Sequence, residues 1–193
     1  MKRILQYVQA TKGYRLLLGA GEEAISSEQS TIQALKVYVD ADFGGEIDGM
    51  KSTSGSVIID PYAVTVNWRS RKQQTVAKST ADAEFNSTGL AAEEGIWLQK
   101  VQTELCPANY RKNEYPNIKL YNDNQACIAS LTNAKFRAST RHVGVRFFWL
   151  KEIIEMGEGE MGYLRTDKMV ADGLTQVLDK TKHELFVAML GMY

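Results

Sequence analysis

At Thr80 the hydrophobic period of the chain changes from that of strands to that of a helix, and this change limits the possible folds more than any other feature. Three short runs rich in β-branched residues come before it: Lys36 to Asp42 with Val37 and Val39, Gly55 to Asp60 with Val57, Ile58 and Ile59, and Ala63 to Arg69 with Val64, Val66 and Trp68. Gly44-Gly45 ends the first run and Pro61-Tyr62 sets a tight turn between the other two. Short connections of this kind predict an antiparallel meander. From Thr80 to Leu105 the period is helical, with Leu90, Trp97, Leu98, Val101 and Leu105 on one face. After a break from Pro107 to Pro116, Ile118 to Tyr121 reads as a short strand and Asn124 to Leu131 as a helix. Val143, Phe147, Leu150 and Ile154 mark another helix, ended near Gly157 and Gly159. Gly162 to Arg165 reads as a last strand, and Thr166 or Asp167 as the cap of a final helix carrying Val170, Leu174, Val177 and Leu178. The order β-β-β-α-β-α-α-β-α predicts an α/β domain: a mixed five-stranded sheet, three antiparallel strands and then parallel ones, flanked by helices.

Ahead of this pattern, residues 1 to about 18 read as a helix through Ile4, Leu5, Val8 and Leu16 to Leu18, and Gly19 to Ser30 as a linker. The expected division is an appendage over residues 1–30 and a domain over 31–193. A chain of 193 residues, 44% of them hydrophobic, can bury one real core. No apolar run reaches membrane-spanning length and no secretory signal opens the chain, so no membrane partner is expected. Cys106 and Cys127 make neither a disulfide framework nor a zinc site, which points to a reducing compartment. With 23 basic and 23 acidic residues the net charge is zero, so a nucleic-acid partner needs local evidence. Two acid-free basic segments provide it: Asn67 to Ala81 with Arg69, Arg71, Lys72 and Lys78, and Ala134 to Leu150 with Lys135, Arg137, Arg141 and Arg146. Such clusters contact phosphates, although a solvated basic face fits the same text.

Four acids lie at the edges of these elements in the order Asp, Glu, Asp, Asp: Asp40, Glu84, Asp123 and Asp172. Carboxylates that meet in space form a hard-oxygen cage for magnesium, and such a cage suits phosphodiester hydrolysis. Spacing leaves two ambiguities. Asp42 has the same facing as Asp40 on a strand, while Asp82 and Glu84 lie about 200° apart on a helix, so only one can face a site. Asp123 follows an apolar strand, where ligands gather in α/β sheets. Asp172 falls in the first turn of the predicted last helix, where the dipole favours an ionised carboxylate. Trp68, Trp97 and Trp149 occupy core-like positions, and His183 reads as a surface residue.

The motifs Tyr38-Val39-Asp40-Ala41-Asp42-Phe43-Gly44-Gly45, Lys51-Ser52-Thr53-Ser54-Gly55, Trp68-Arg69-Ser70-Arg71-Lys72-Gln73, Ala83-Glu84-Phe85, Tyr121-Asn122-Asp123-Asn124-Gln125, Thr140-Arg141-His142-Val143 and Val170-Ala171-Asp172-Gly173-Leu174-Thr175 follow one another in a fixed order. In that order they resemble the RNase H domain of copia-type LTR retrotransposon polyproteins. Arg3-Ile4-Leu5-Gln6-Tyr7 and Thr11-Lys12-Gly13-Tyr14 resemble the reverse-transcriptase end just upstream, which would make residues 1–30 a remnant of that region. The resemblance implies an RNase H-like fold with Asp40, Glu84, Asp123 and Asp172 as catalytic metal ligands, choosing Asp40 over Asp42 and Glu84 over Asp82. It also implies two Mg²⁺ ions, replaceable by Mn²⁺, and hydrolysis of the RNA strand of RNA–DNA hybrids to 5′-phosphate and 3′-hydroxyl ends. Strand choice would rest on the 2′-hydroxyl and minor-groove shape. Arg69, Arg71, Lys72, Lys78, Arg137, Arg141 and His142 would contact the nucleic acid, and a reverse-transcriptase domain would be a further partner of a chain otherwise monomeric. Its place would be the cytoplasm, including virus-like particles, or the nucleus. Many RNases H carry a histidine before the last acidic helix; Arg165 to Val170 has none, as is usual in the copia-type pattern, so turnover is expected to be modest. The alternative is a silent module of the same fold that binds nucleic acid, a reverse transcriptase or a host protein. An integrase-type strand transferase would order its acids Asp, Asp, Glu, which this chain does not.

Overall fold

The structure, a computed structural model, describes residues 2–16, 34–45, 49–105, 117–132 and 144–193. Five strands, β1 (Lys36–Asp42), β2 (Thr53–Ile59), β3 (Thr65–Lys72), β4 (Ile118–Asn122) and β5 (Gly159–Tyr163), form one sheet in the order β3-β2-β1-β4-β5. β1 and β2 and β2 and β3 pair antiparallel, whereas β4 runs parallel to both β1 and β5. The helices are α1 (Lys2–Thr11), α2 (Thr80–Leu105), α3 (Gln125–Thr132), α4 (Gly144–Glu155) and α5 (Lys180–Met189). The mixed five-stranded sheet and its element order are those expected from the sequence.

One face of the sheet packs Val37, Val39, Ile58, Ile118 and Leu120 against Phe85, Ala91 and Ala92 of α2 and Phe147 and Leu150 of α4. The other face packs Val57 against Val170 and Leu190, with Tyr38, Ile59 and Phe186 at the margin. The strands alternate between these faces, so a shift of one residue would exchange the two cores.

Helix α2 differs from the predicted amphipathic stripe. Its buried residues include Ala83, Ser87, Thr88, Ala91, Ala92 and Gly95, while Trp97 is 60% exposed and Leu105 is exposed at the helix end. The reason is close approach. A Cβ at Gly95 would lie 3.0 Å from Val37 Cγ2, so at that crossing only a small residue fits between helix and sheet. The larger residues move to the edges of the contact. Trp68 is likewise exposed, whereas Trp149 packs against the main core.

The predicted final helix over Val170–Leu178 is absent. Thr166–Lys168 and Val170–Leu174 are two short 3₁₀ turns, and the α-helix begins later, at Lys180, with Asp179 accepting from the Lys182 amide (2.9 Å) as its cap. Neither Thr166 nor Asp167 caps a helix: Arg165 precedes the first turn with no side-chain cap. Two contacts favour the tighter path. Gly173 lets the Phe186 ring lie against its backbone, and the Thr175 hydroxyl reaches the Asp172 carbonyl (3.2 Å), competing with continued α-helix. β5 begins at Gly159 rather than Gly162, because Gly157 in the left-handed region (φ 76°) closes α4 early enough to pair Gly159 with Ile118.

The first helix ends at Thr11, short of the predicted residue 18, and has no buried residue. The chain after it is tied to the C-terminus. Arg15 and Tyr193 exchange backbone hydrogen bonds of 2.9 and 3.1 Å, and Leu16 bridges to Met192. His183 is half-buried rather than a free surface residue: its Nε2 lies 3.0 Å from the Tyr7 hydroxyl, and Tyr14 stacks on the ring. The predicted linker from Gly19 to Ser30 lies outside the described residues.

Gly55 is the tightest junction between sheet and 3₁₀ segment. A Cβ there would lie 2.7 Å from Thr175 Cγ2 and 2.8 Å from the Ala171 carbonyl oxygen. Gly55→Val is expected to destabilise the protein by about 1–3 kcal/mol through overpacking. Urea unfolding measures this, and an unchanged midpoint would show that the segment is not held against β2.

Candidate active site

Parallel pairing between β1 and β4 runs only from Lys36↔Lys119 to Tyr38↔Tyr121. Beyond Tyr38, β1 continues to Asp42 against β2, and β4 ends at Asn122. The two strands thus stop pairing before their carboxyl ends, where α/β sheets leave room for ligands. Asp40 lies on the stretch of β1 that pairs with β2 but not with β4, and Asp123 follows the last residue of β4. Glu84 enters from the start of α2 and Asp172 from the Val170–Leu174 turn.

Asp40, Glu84 and Asp123 each offer one carboxylate oxygen, and these atoms lie within 4.8 Å of one another. Asp172 is not one of this trio, but the charges of Asp40 and Asp123 both act on it. The structure therefore brings three of the four predicted acids together, with Asp172 near enough to feel their charge.

The competing acids have other tasks. Asp82 caps the start of α2: its Oδ2 accepts from the Lys78 amide (2.8 Å), and its own amide donates to Ser79 Oγ (3.1 Å). Asp42 lies against Gly45 and does not join the Asp40–Glu84–Asp123 group.

Uncharged donors orient the acids. Asn122 Nδ2 donates to Glu84 Oε2 (2.9 Å) and reaches Thr88 Oγ1 (3.3 Å), while Asn122 Oδ1 accepts from the Asn124 amide (2.6 Å). The Thr166 hydroxyl donates to Asp123 Oδ2 (2.7 Å), and the Thr175 hydroxyl to Asp40 Oδ2. Asn124 caps α3, with Oδ1 accepting from the Cys127 amide (2.9 Å), and so fixes the turn that carries Asp123. The sequence places none of these partners at the site, and it reads Thr166 only as a helix cap. Asn122 could have been noticed as a polar residue at the buried position after Ile118 and Leu120 in an otherwise apolar alternation.

Burial and mutual repulsion govern the charge state. Glu84, 3% exposed, is pushed up to about 8 by burial and then by Asp40 and Asp123, against the lowering bond from Asn122. Asp40, 8% exposed, is raised by burial and by Asp123, against the bond from Thr175. Asp172 is raised to about 6 by burial and by the charges of Asp40 and Asp123, with Lys182 opposing. The donors are all hard carboxylate oxygens, held too close to be comfortably ionised together. Both features fit a divalent cation of the magnesium class, which would neutralise the repulsion.

The predicted nucleic-acid contacts divide. Arg69 is paired with Glu94 of α2 and so has an internal partner for its charge. Arg71, Lys72 and Lys78 are exposed along the end of β3 and the approach to α2. Arg137, Arg141 and His142 lie outside the described residues.

Raised carboxylate pKa values fix the direction of a pH effect. Between an ordinary value of 4.5 and about 8, folded Glu84 keeps a proton that the unfolded chain has released, so stability falls as pH rises across that window. Asp172 adds the same effect between 3.8 and about 6. With chelator present, the thermal midpoint is expected to fall from about pH 5 to about pH 8, and Glu84→Gln should flatten the fall. A midpoint that climbs over this range would contradict the charge crowding.

No protein-family model matches the chain. The chain is 32% identical over 193 residues, its whole length, to the retrovirus-related Pol polyprotein from transposon TNT 1-94 of Nicotiana tabacum, and it spans 13% of that protein. It is 27% identical over 192 residues to the Pol polyprotein from transposon RE1 of Arabidopsis thaliana, of which it spans 12%. Among solved structures, LC11-RNase H1, isolated from compost by a metagenomic approach, superposes with a TM-score of 0.55 at 15% identity, covering 74% of this chain and 93% of that one. The same RNase H1 in complex with an RNA/DNA hybrid gives 0.52 at 14% identity, covering 73% of this chain and 93% of that one. At such identities the structural likeness speaks to fold alone, while the polyprotein matches carry the ancestry. The chain is a relative of the copia-type transposon Pol polyproteins, and the part it shares with them has the RNase H fold.

Proposed function

We propose that this chain is a divalent-metal-dependent ribonuclease H that hydrolyses the RNA strand of RNA–DNA hybrids. The observation that carries the proposal is the convergence of Asp40, Glu84 and Asp123, with Asp172 beside them, where β1 and β4 stop pairing. The polyprotein relatives and the hybrid-bound RNase H1 of the same fold support the choice of substrate.

Asp40, Glu84, Asp123 and Asp172 would hold the ions, two Mg²⁺ or their Mn²⁺ equivalents. When bound, these ions supply charge neutralisation and an activated water for in-line displacement at phosphorus. The protein's own contribution is placement. Asn122, Thr166 and Thr175 fix the carboxylate oxygens through neutral donors, so no side chain need reorganise when the site is filled. Asp40 and Glu84 are buried, which keeps competing water out and strengthens every interaction with a bound cation. The bond formed joins a water oxygen to phosphorus, and the bond broken is P–O3′, giving 5′-phosphate and 3′-hydroxyl ends. Arg71, Lys72 and Lys78 would meet the phosphate backbone, with Arg137, Arg141 and His142 as further contacts. Residues 1–30 would belong with an upstream reverse-transcriptase region, the rest forming the nuclease domain.

A gel assay of labelled hybrid, single-stranded RNA and duplex DNA, with and without chelator, tests this reading. Wild-type protein should cut only the RNA of the hybrid and only with Mg²⁺ or Mn²⁺. Asp40→Asn should lower the rate about 10²-fold or more while leaving circular dichroism unchanged. Hybrid binding without metal-dependent cleavage would instead support a silent nucleic-acid-binding module. Arg71→Ala should weaken hybrid binding similarly for all sequences and reduce the slope of log affinity against log salt by about 1; an unaltered slope would remove Arg71 from the interface.

A further inference from the structure

Just beyond β3, Gln73 is buried between β2 and the start of α2. It is 6% exposed, and its backbone amide donates to the Ser52 carbonyl of the chain entering β2 (2.8 Å). Its side-chain Nε2 donates to the Ala83 carbonyl of α2 (2.9 Å) and to Ser54 Oγ of β2 (3.0 Å), and lies 3.4 Å from Ser87 Oγ. Ser87 Oγ in turn donates to Ser54 Oγ (2.6 Å). Gln73 Oε1 is buried with no partner among the described residues.

The ends of this bridge matter. Ala83 precedes Glu84 in the chain, and Ser54 sits opposite Ala41, one register step from the Asp40↔Gly55 pair. One carboxamide therefore joins the backbone that carries Glu84 to the strand pair that carries Asp40. Phe85 anchors this turn of α2 in the core, while the flanking Ala83, Ser87 and Thr88 side chains are small and grip the strands weakly. The directional bonds from Gln73 add a restraint on the rotation and axial slide of that turn relative to β2. An apolar core would satisfy packing here without leaving a carbonyl oxygen unpaired, a burden expected to be kept only where position matters.

We propose that Gln73 is a positioning residue for the metal cluster: its carboxamide, acting through Ala83 and Ser54, sets the separation of Glu84 from Asp40. This deepens the nuclease reading and rests on the metal site belonging to that reading.

The test compares wild type, Gln73→Met and Ser54→Ala in the full chain. Mg²⁺ affinity comes from calorimetry and from Mg²⁺-induced thermal stabilisation, and KM and kcat on hybrid come from the gel assay. Gln73→Met is expected to weaken Mg²⁺ binding about 10- to 100-fold and to lower kcat at subsaturating metal with KM for hybrid unchanged. Excess Mn²⁺, which binds oxygen sites more tightly, should recover part of kcat. Ser54→Ala, which leaves the Ala83 bond in place, should show a smaller loss of the same kind and reads the bridge if Gln73→Met fails to fold. Ile58→Val in the sheet core separates stability from position: it should lower the thermal midpoint without moving Mg²⁺ affinity. Wild-type Mg²⁺ affinity in both folded bridge variants, or in Ser54→Ala where it alone folds, would overturn the proposal even if wild-type protein cleaves hybrid. Wild-type protein that binds Mg²⁺ without cleaving would sink the nuclease reading and leave the affinity comparison to decide on Gln73. Wild-type protein that binds no Mg²⁺ would overturn both.

Discussion

Like charges held together against their mutual repulsion are the feature on which the rest of this structure turns. Asp40, Glu84 and Asp123 come within 4.8 Å of one another through their carboxylate oxygens, with the first two buried. Left alone, such a cluster opposes folding, because burial and neighbouring charge both penalise ionisation. The chain does not relieve it with a buried arginine or lysine salt bridge among the described residues. Lys182 acts only on Asp172, and the remaining partners are neutral: Asn122, Thr166 and Thr175. Neutral donors orient a carboxylate without cancelling its charge, which leaves the negative potential for a cation from outside.

The scaffold around the cluster serves the same constraint. Loss of pairing between β1 and β4 after Tyr38 and Tyr121 removes backbone from the place where the acids meet. Gly55 lets the 3₁₀ turn carrying Asp172 lie on the sheet next to Asp40. Small residues along α2 bring Glu84 close to the strands, and Asp82 caps the same helix and so sets its start. Arg69, the first cation of the basic segment, is paired with Glu94, and Arg71, Lys72 and Lys78 are exposed on the surface.

The strands, their order and the acids at their ends were legible because they rest on short-range signals: alternation in Lys36–Asp42, the turn at Pro61-Tyr62, and an apolar strand followed by Asp123. The features that escaped depend on distance in space. Of the stripe Leu90, Trp97, Leu98, Val101 and Leu105, Trp97 and Leu105 obey helical period yet face outward, because nothing local reveals how closely α2 approaches the sheet. Val170 to Leu178 has helical spacing, but the pull of Thr175 toward Asp40 and of Phe186 onto Gly173 comes from residues far away in the chain. His183 looked like a surface residue because its partners, Tyr7 and Tyr14, lie at the opposite end of the sequence. Spacing alone left Asp40 and Asp42 level; the family resemblance chose between them, and burial of Asp40 at the cluster is a fact only the folded chain displays.

Anomalous diffraction from crystals equilibrated with Mn²⁺ locates any bound ion at this cluster. Manganese peaks are expected between the carboxylates of Asp40, Glu84, Asp123 and Asp172, with metal–oxygen distances of about 2.0–2.4 Å. Peaks confined to other surface carboxylates, with these four side chains turned apart and the space between them filled by water or protein, would contradict this expectation.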